Sequence, residues 1–244
     1  MIDGHDVAWV RADNPSPMTL EGTNTWLLGR DPCFVVDPGP LLEAHVDAVV
    51  AEAEARGGAG GIALTHGHAD HTDAVEAVRE RLGAPPVATE GDLGPLRAVA
   101  TSGHSPDHVA WVWGAVCCTG DAVLGEGSVF VSTDLAAYLD ALRVLRALDL
   151  DLLLPGHGPP VTDAAAKLDE YVAHRLEREQ RLLDALARGS RTVDELLDDA
   201  WSDAPRALRL PAAVTLAAHL DKLAAEGRLP EGVERPAVPE YFAV

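Results

Sequence analysis

Cysteine, lysine and long apolar runs are scarce in this sequence, and each shortage excludes something. No stretch reaches the about 18 consecutive apolar residues of a membrane helix, so no membrane span is expected. The opening segment MIDGHDVAWVRADNPSP has no apolar core of the kind a secretory signal needs, and the expected compartment is the cytoplasm. Only three cysteines occur. Cys117 and Cys118 are adjacent in the strand-like GAVCCTGD, and Cys33 lies in another strand-like stretch, CFVVD. Neighbours on one strand point to opposite faces, so the pair does not form a structural bridge and all three read as buried thiols. Lysine is confined to Lys167 and Lys222, and 19 basic residues face 39 acidic ones, a net charge of −20. Residues 1–166 carry −16 of it and residues 167–244 only −4. A chain this acidic repels phosphate backbones at long range, which argues against general nucleic-acid affinity and against duplex DNA as a partner.

What is present is enough apolar residue, at 47% of 244, to bury a sizeable core. Strands are expected at NTWLLG and CFVVDPG, joined by the turn RDP, then at GIALTH, HVAWVWG, AVCCTGD and DLLLPG. Helices are expected over residues 41–56, 70–82 and 134–148. Mixed strands and helices of this kind indicate an α/β or α+β fold with helices covering sheets. The last third changes character. A long helix over residues 162–188 ends at Gly189, TVDE supplies a capping box from Thr192 to Glu195, and Pro211 opens a helix that Gly227 stops. This is a small winged-helix-like unit, giving an expected division into residues 1–165 and 166–244.

The chemistry is concentrated in THGHADHTDA, residues 65–74. Crowded histidines behind a buried strand gain nothing unless they share a ligand. His66 and His68 can project toward one ion, while Asp70 and His71 emerge as a helix begins and can face a second; Gly67 permits the bend between them. His104, Asp121 and His157 each follow a glycine (Gly103, Gly120, Gly156), the last two directly after strands. Imidazole with carboxylate donors suits zinc, with iron or manganese possible.

In these motifs the chain resembles the metallo-β-lactamase superfamily: H-x-H-x-D-H at 66–71, G-H at His104, a strand-end Asp121, a late G-H at His157, and VVDPGP around Asp37. The resemblance implies a four-layer αββα sandwich with the site at one edge of two sheets. It assigns His66, His68 and His104 to one metal, Asp70, His71 and His157 to a second, and Asp121 as the bridge. NPSPMTLEGTNTWLLG, TGDAVLGEGSVFVSTDLAAYLDAL and the C-terminal helices are similar to a group carrying a winged-helix domain, which includes animal mitochondrial endoribonucleases and fungal polyketide thioesterases. TSGHS stands where that family often has T-P-G-H-T. His68 stands where the oxygen-reducing flavodiiron branch usually has Glu, which turns the reading away from that branch.

The implied activity is that of a dinuclear zinc hydrolase whose two ions hold a hydroxide that attacks an ester, thioester, amide or phosphodiester. Asp70 then ligates one zinc and orients the nucleophile, and Asp37 and His108 are candidates to orient ligand imidazoles. A single-strand-specific endoribonuclease is the alternative on the same ligands, and a mononuclear iron persulfide dioxygenase is the alternative of another class. The expected partner is thus a small molecule or single-stranded RNA; the oligomeric state stays open. Arg175, Arg178, Arg181, Arg206 and Arg209 can contact a phosphate backbone, but helical spacing predicts i,i+3 or i,i+4 pairing with Glu177 and Glu179 on solvated faces. His174 beside Arg175 is a candidate substrate contact. Residues 212–225, where a winged helix would read DNA, offer one Lys and no Arg.

Overall fold

The computed structural model describes residues 2–239; residue 1 and residues 240–244, the outer ends of the two expected units, lie outside them. Ten strands and seven helices follow in order: β1 (Val7–Arg11), β2 (Asn24–Leu28), β3 (Cys33–Val36), α1 (Glu43–Ala55), β4 (Ala59–Ala63), α2 (Ala69–Thr72) and α3 (Val75–Arg81). Then come β5 (Val87–Ala88), β6 (Asp92–Leu93), β7 (Leu96–Ala100), β8 (Val109–Trp113), β9 (Val116–Gly120), α4 (Leu135–Arg146) and β10 (Leu152–Pro155). The chain ends with α5 (Ala164–Arg188), α6 (Val193–Ala200) and α7 (Arg209–Ala225).

Two five-stranded mixed sheets run in the orders β1-β2-β3-β4-β5 and β10-β9-β8-β7-β6. Three apolar layers hold them. Val7, Trp26 and Val36 from the first sheet meet Trp111, Val116 and Leu154 from the second. Val35 and Ile62, on the opposite pleat of the first sheet, pack on Val46, Val49 and Val78 of α1 and α3. Ala110, Cys117 and Leu153 of the second sheet pack on α4 and α5 through Tyr138, Leu142 and Leu168. This is the expected αββα sandwich. Strand alternation sends Cys117 to the helices and Cys118 between the sheets, and all three cysteines are buried and free. Burial pushes the Cys117 thiol up to about 12. Asn24 fastens the two sheets at one edge, donating to the carbonyls of Pro155 (2.9 Å) and Gly158 (2.8 Å).

The C-terminal unit has its own core, in which Leu182, Leu186, Leu196, Trp201, Leu216 and Leu220 converge. Helix α5 serves both parts: Leu168 and Tyr171 lie in the sandwich, Leu182 and Leu186 in the helical unit. The capping box forms as expected, with Thr192 and Glu195 each satisfying the other's backbone N–H. No helix among the described residues is long and apolar enough to cross a membrane.

Three local expectations need correction. The helix expected over 70–82 is two helices, because the Ala74 N–H turns away to the Gly39 carbonyl at 3.0 Å. Pro211 does not open α7, which begins at Arg209; a proline is tolerated there because first-turn N–H groups have no intrahelical partner. Arg175 and Arg178 do not line a solvated face: they are 2% and 6% exposed. Arg175 bonds Ser128 and the Val129 carbonyl, and Arg178 bonds Asp203 and the Ala200 carbonyl. Only Arg181 makes the expected i,i+4 pair with Glu177. Glu179 instead binds Lys222 and Arg228 across the unit.

His219 of α7 is fully buried against Trp201 and neither ring nitrogen has a hydrogen-bond partner. Burial, then the charges of Arg175, Lys222 and Arg178, push its pKa down to about 3. The unfolded chain takes up this proton near pH 6.5, so the stability tied to neutral His219 is complete above that pH and is lost as the pH falls toward 3. In His219→Leu that loss disappears. Thermal melts should show the variant at least as stable at neutral pH. Its stability loss between about pH 7 and pH 5 should be roughly 2 kcal/mol smaller than that of the unsubstituted protein. Equal losses would show that His219 is protonated in the fold.

Candidate metal centre

The loop after β4 carries His66 and His68 and runs into α2, which presents Asp70 and His71. Asp121 follows β9, His157 follows β10, and His104 lies between β7 and β8. All seven side chains meet at the sheet edge that Asn24 fastens. One group comprises His66, His68 and His104, another Asp70, His71 and His157, and within each the donor atoms lie within 4.8 Å of one another. His68 Nδ1 stands 2.9 Å from His66 Nε2 and 3.1 Å from His104 Nε2. Asp70 Oδ2 is 3.5 Å from His71 Nε2 and 3.4 Å from His157 Nε2. Asp121 touches both groups, with Oδ2 3.6 Å from His104 and 3.3 Å from His157, and Oδ1 3.5 Å from His71. Two ligands at about 2.0–2.1 Å on one tetrahedral zinc stand about 3.4 Å apart, so the carboxylate–imidazole separations match those of ligands sharing an ion. His68 Nδ1 lies at hydrogen-bond distance from its two neighbours.

The ring tautomers point the same way. His71 Nδ1 donates to Asp37 Oδ2 at 2.9 Å, His104 Nδ1 to the Phe130 carbonyl at 3.3 Å and His157 Nδ1 to the Gly22 carbonyl at 3.4 Å. Thr65 Oγ1 gives its proton to Asp37 Oδ2 at 2.7 Å, so it accepts from His66 Nδ1 at 3.0 Å. With the ring neutral, each of these Nε2 atoms presents a lone pair to the cluster, where it can ligate a cation. The buried atoms His71 Nε2 and Asp121 Oδ1 have no hydrogen-bond partner, which is the state of a ligand atom rather than of a satisfied polar core. The donor set fits two metal ions.

Charge divides the centre. Burial holds His66 well below its ordinary pKa and His104 down to about 4, so these two rings are neutral and ready to ligate. Burial also opposes a charge on His71, but Asp121, Asp37 and Asp70 outweigh it and hold His71 at about 10. Burial would raise Asp121, yet His157, His71 and His104 keep it well below the usual carboxylate range. An ion bound among these carboxylates would take the place of the proton on His71.

Around the donors stand groups that aim them. Asp37, 2% exposed, also accepts from the Thr65 N–H at 2.8 Å, which ties the His71 ring to β4. His108 does not touch a ligand ring through a hydrogen bond: its Nε2 accepts from the Asp121 N–H at 3.1 Å and its Nδ1 pairs with Thr101 at 2.7 Å, so it anchors the Asp121 backbone. Thr23, which the sequence reading did not single out, donates to Asp70 Oδ2 at 3.0 Å. Thr65 and Thr101 were missed for the same reason: an isolated threonine carries no pattern, although Thr65 immediately precedes His66. Gly156 is the cradle beneath the cluster, since a Cβ there would lie 2.5 Å from Asp121 Oδ1 and 2.6 Å from His71 Cε1. Gly156→Ala should therefore weaken zinc binding by about tenfold to a hundredfold with an unchanged circular dichroism spectrum. Undiminished zinc affinity would mean that these two side chains do not face an ion.

Comparison with known proteins agrees with this geometry. Residues 18–99 match the model of the metallo-beta-lactamase superfamily, and residues 192–232 match the beta-lactamase associated winged helix domain. A beta-lactamase-like protein 2 homolog of Drosophila melanogaster is 30% identical, over 94% of this chain and 90% of its own. An atrochrysone carboxyl ACP thioesterase of Aspergillus chevalieri is 32% identical, over 82% of this chain and 74% of its own. Among solved structures, a beta-lactamase domain protein from Burkholderia ambifaria has a TM-score of 0.73 at 23% identity, covering 93% of this chain and 90% of its own. The chain belongs to the metallo-β-lactamase superfamily, the class of metal-dependent hydrolases that this fold and donor set define.

Proposed function

We propose that the protein is a dinuclear zinc hydrolase acting on a carboxylic ester or thioester. The observation that carries this reading is the placement of Asp121, whose two carboxylate oxygens lie 3.3–3.6 Å from His71, His104 and His157 and so reach both donor groups. His66, His68 and His104 would hold one ion; Asp70, His71 and His157 would hold the other, with Asp121 shared. When bound, the ions supply an activated water and a Lewis acid for the developing oxyanion. The chain's own residues do the positioning. Thr23 fixes the Asp70 carboxylate, Asp37 fixes the His71 ring with its proton on Nδ1, and His108 fixes the Asp121 backbone.

A carbonyl substrate fits the surroundings better than a nucleic acid. Arg175 and Arg178 are engaged internally, Arg209 is paired with Asp194 and Asp198, and α7 buries Val214, Leu216 and Leu220. The thioesterase relative from Aspergillus chevalieri supports the same substrate class. The test is a screen of the zinc-loaded protein against acyl-thioesters, single-stranded RNA and a chromogenic lactam. Thioester turnover is expected; RNA cleavage without it would refute the reading.

A further inference from the structure

A cavity of about 400 Å³ opens beside the donor cluster, between the sandwich and the helical unit. Asp121 forms part of its wall, so cavity and metal centre are continuous. Leu20, Leu124 and Phe130 from the sandwich and Trp201, Leu208 and Ala212 from the helical unit make it mostly apolar. Its charged residues do not suit a polyanion. The guanidinium groups of Arg175 and Arg178 are already bound to protein oxygens, and the acidic side chains of Glu126 and Asp203 also belong to the lining.

The Ser128 hydroxyl, in the cavity wall, has a proton to give. Arg178 Nη2, which can only donate, contacts His174 Nε2 at 3.3 Å, so that nitrogen accepts. Burial, with Arg175 and Arg178 nearby, lowers the His174 pKa, and the neutral ring carries its proton on Nδ1, 3.3 Å from Ser128 Oγ. Arg175 Nη2 donates to the same oxygen at 2.9 Å. Two donors occupy the lone pairs of the Ser128 hydroxyl, and its own proton has only a long contact of 3.4 Å with the Val129 carbonyl, which Arg175 already uses. Ser128 is exposed in the cavity wall.

We propose that this cavity is the acyl pocket, that it takes an apolar acyl group with the scissile carbonyl at the Asp121 end, and that Ser128 donates a hydrogen bond to a keto or hydroxyl oxygen carried on that group. The inference rests on the ester or thioester reading for the direction in which the acyl group enters. It gives the helical unit a role as one wall of the substrate site and the chain Asp203–Arg178–His174–Ser128 a role in aiming one hydroxyl proton.

The experiment uses the full-length zinc-loaded protein and two variants outside the donor set. Leu208→Trp places a ring in the cavity, and Ser128→Ala removes the hydroxyl. Calorimetric binding of decanoate, and of oxodecanoates with the keto oxygen at successive positions, is read beside kcat/KM for decanoyl and acetyl thioesters. Leu208→Trp should weaken decanoate and lower decanoyl kcat/KM by about tenfold or more, leaving the acetyl thioester within about twofold. Ser128→Ala should weaken at least one oxodecanoate by about fivefold and leave decanoate unchanged. Decanoate binding and chain-length preference untouched by Leu208→Trp would overturn the pocket, even if thioesters are hydrolysed. The absence of any oxodecanoate sensitive to Ser128→Ala would overturn the role of Ser128. If the binding pattern holds and no thioester is hydrolysed, the pocket stands and the hydrolase reading falls.

Discussion

On the proposed reading of a dinuclear thioester hydrolase, Asp121→Ala should lower thioester hydrolysis by about a thousandfold or more, because the several kcal/mol of charge stabilisation at the centre would depend on both ions being held in register. Among the described residues, its carboxylate alone approaches His71, His104 and His157 together, at 3.3–3.6 Å. Removing it leaves the strand end in place, since the Asp121 N–H still bonds His108 and the Asp121 position still follows β9. The fold, read by circular dichroism, should persist while zinc content falls. Asp121→Asn, which keeps the shape and loses the charge, should be nearly as inactive. Activity within about tenfold of the unsubstituted protein in either variant would remove Asp121 from the reaction.

Asp37 yields the second large effect, and two substitutions there separate stability from chemistry. Its carboxylate accepts from the Thr65 N–H, the Thr65 hydroxyl and His71 Nδ1, all in the interior. Asp37→Ala strands all three and also sets alanine at φ 51, so a loss of about 3–5 kcal/mol is expected in denaturant unfolding. Asp37→Asn keeps an acceptor for the Thr65 N–H and tolerates the left-handed backbone. Its amide, however, presents an N–H to His71 Nδ1 and so favours the tautomer with the proton on Nε2, where it blocks ligation. Asp37→Asn should fold, lose about tenfold to a hundredfold in zinc affinity, and regain turnover with excess zinc. An Asn variant with full zinc affinity would show that Asp37 holds the loop without setting the ring.

The donor set was legible in the sequence because its chemistry is local: HGHADH places four donors on one strand-to-helix turn, and His104, Asp121 and His157 each stand behind a glycine. Apolar runs such as GIALTH and CFVVD are long enough to mark buried strands, which made a fold of helices covering sheets legible; the αββα layering itself came from the resemblance of the motifs to the metallo-β-lactamase superfamily. The two-residue strands β5 and β6 were not, since so short a segment has no periodicity. Nor were the interior arginines. Arg175 and Arg178 sit among charged residues on a helix that reads as solvated, and only the tertiary packing of α5 against Val129 and Asp203 makes them internal. The cavity was illegible for the same reason, because Leu20, Phe130, Trp201 and Leu208 come from segments far apart in the chain. Asp37 drew notice through its motif, while its partner Thr65 needed the fold.

Metal stoichiometry tests the central claim most directly. Elemental analysis of the purified protein, followed by zinc titration of the metal-free form with thioester turnover as the readout, should give two zinc ions per chain and activity that rises to the second equivalent. One iron per chain, with oxygen consumption and no hydrolysis, would contradict it.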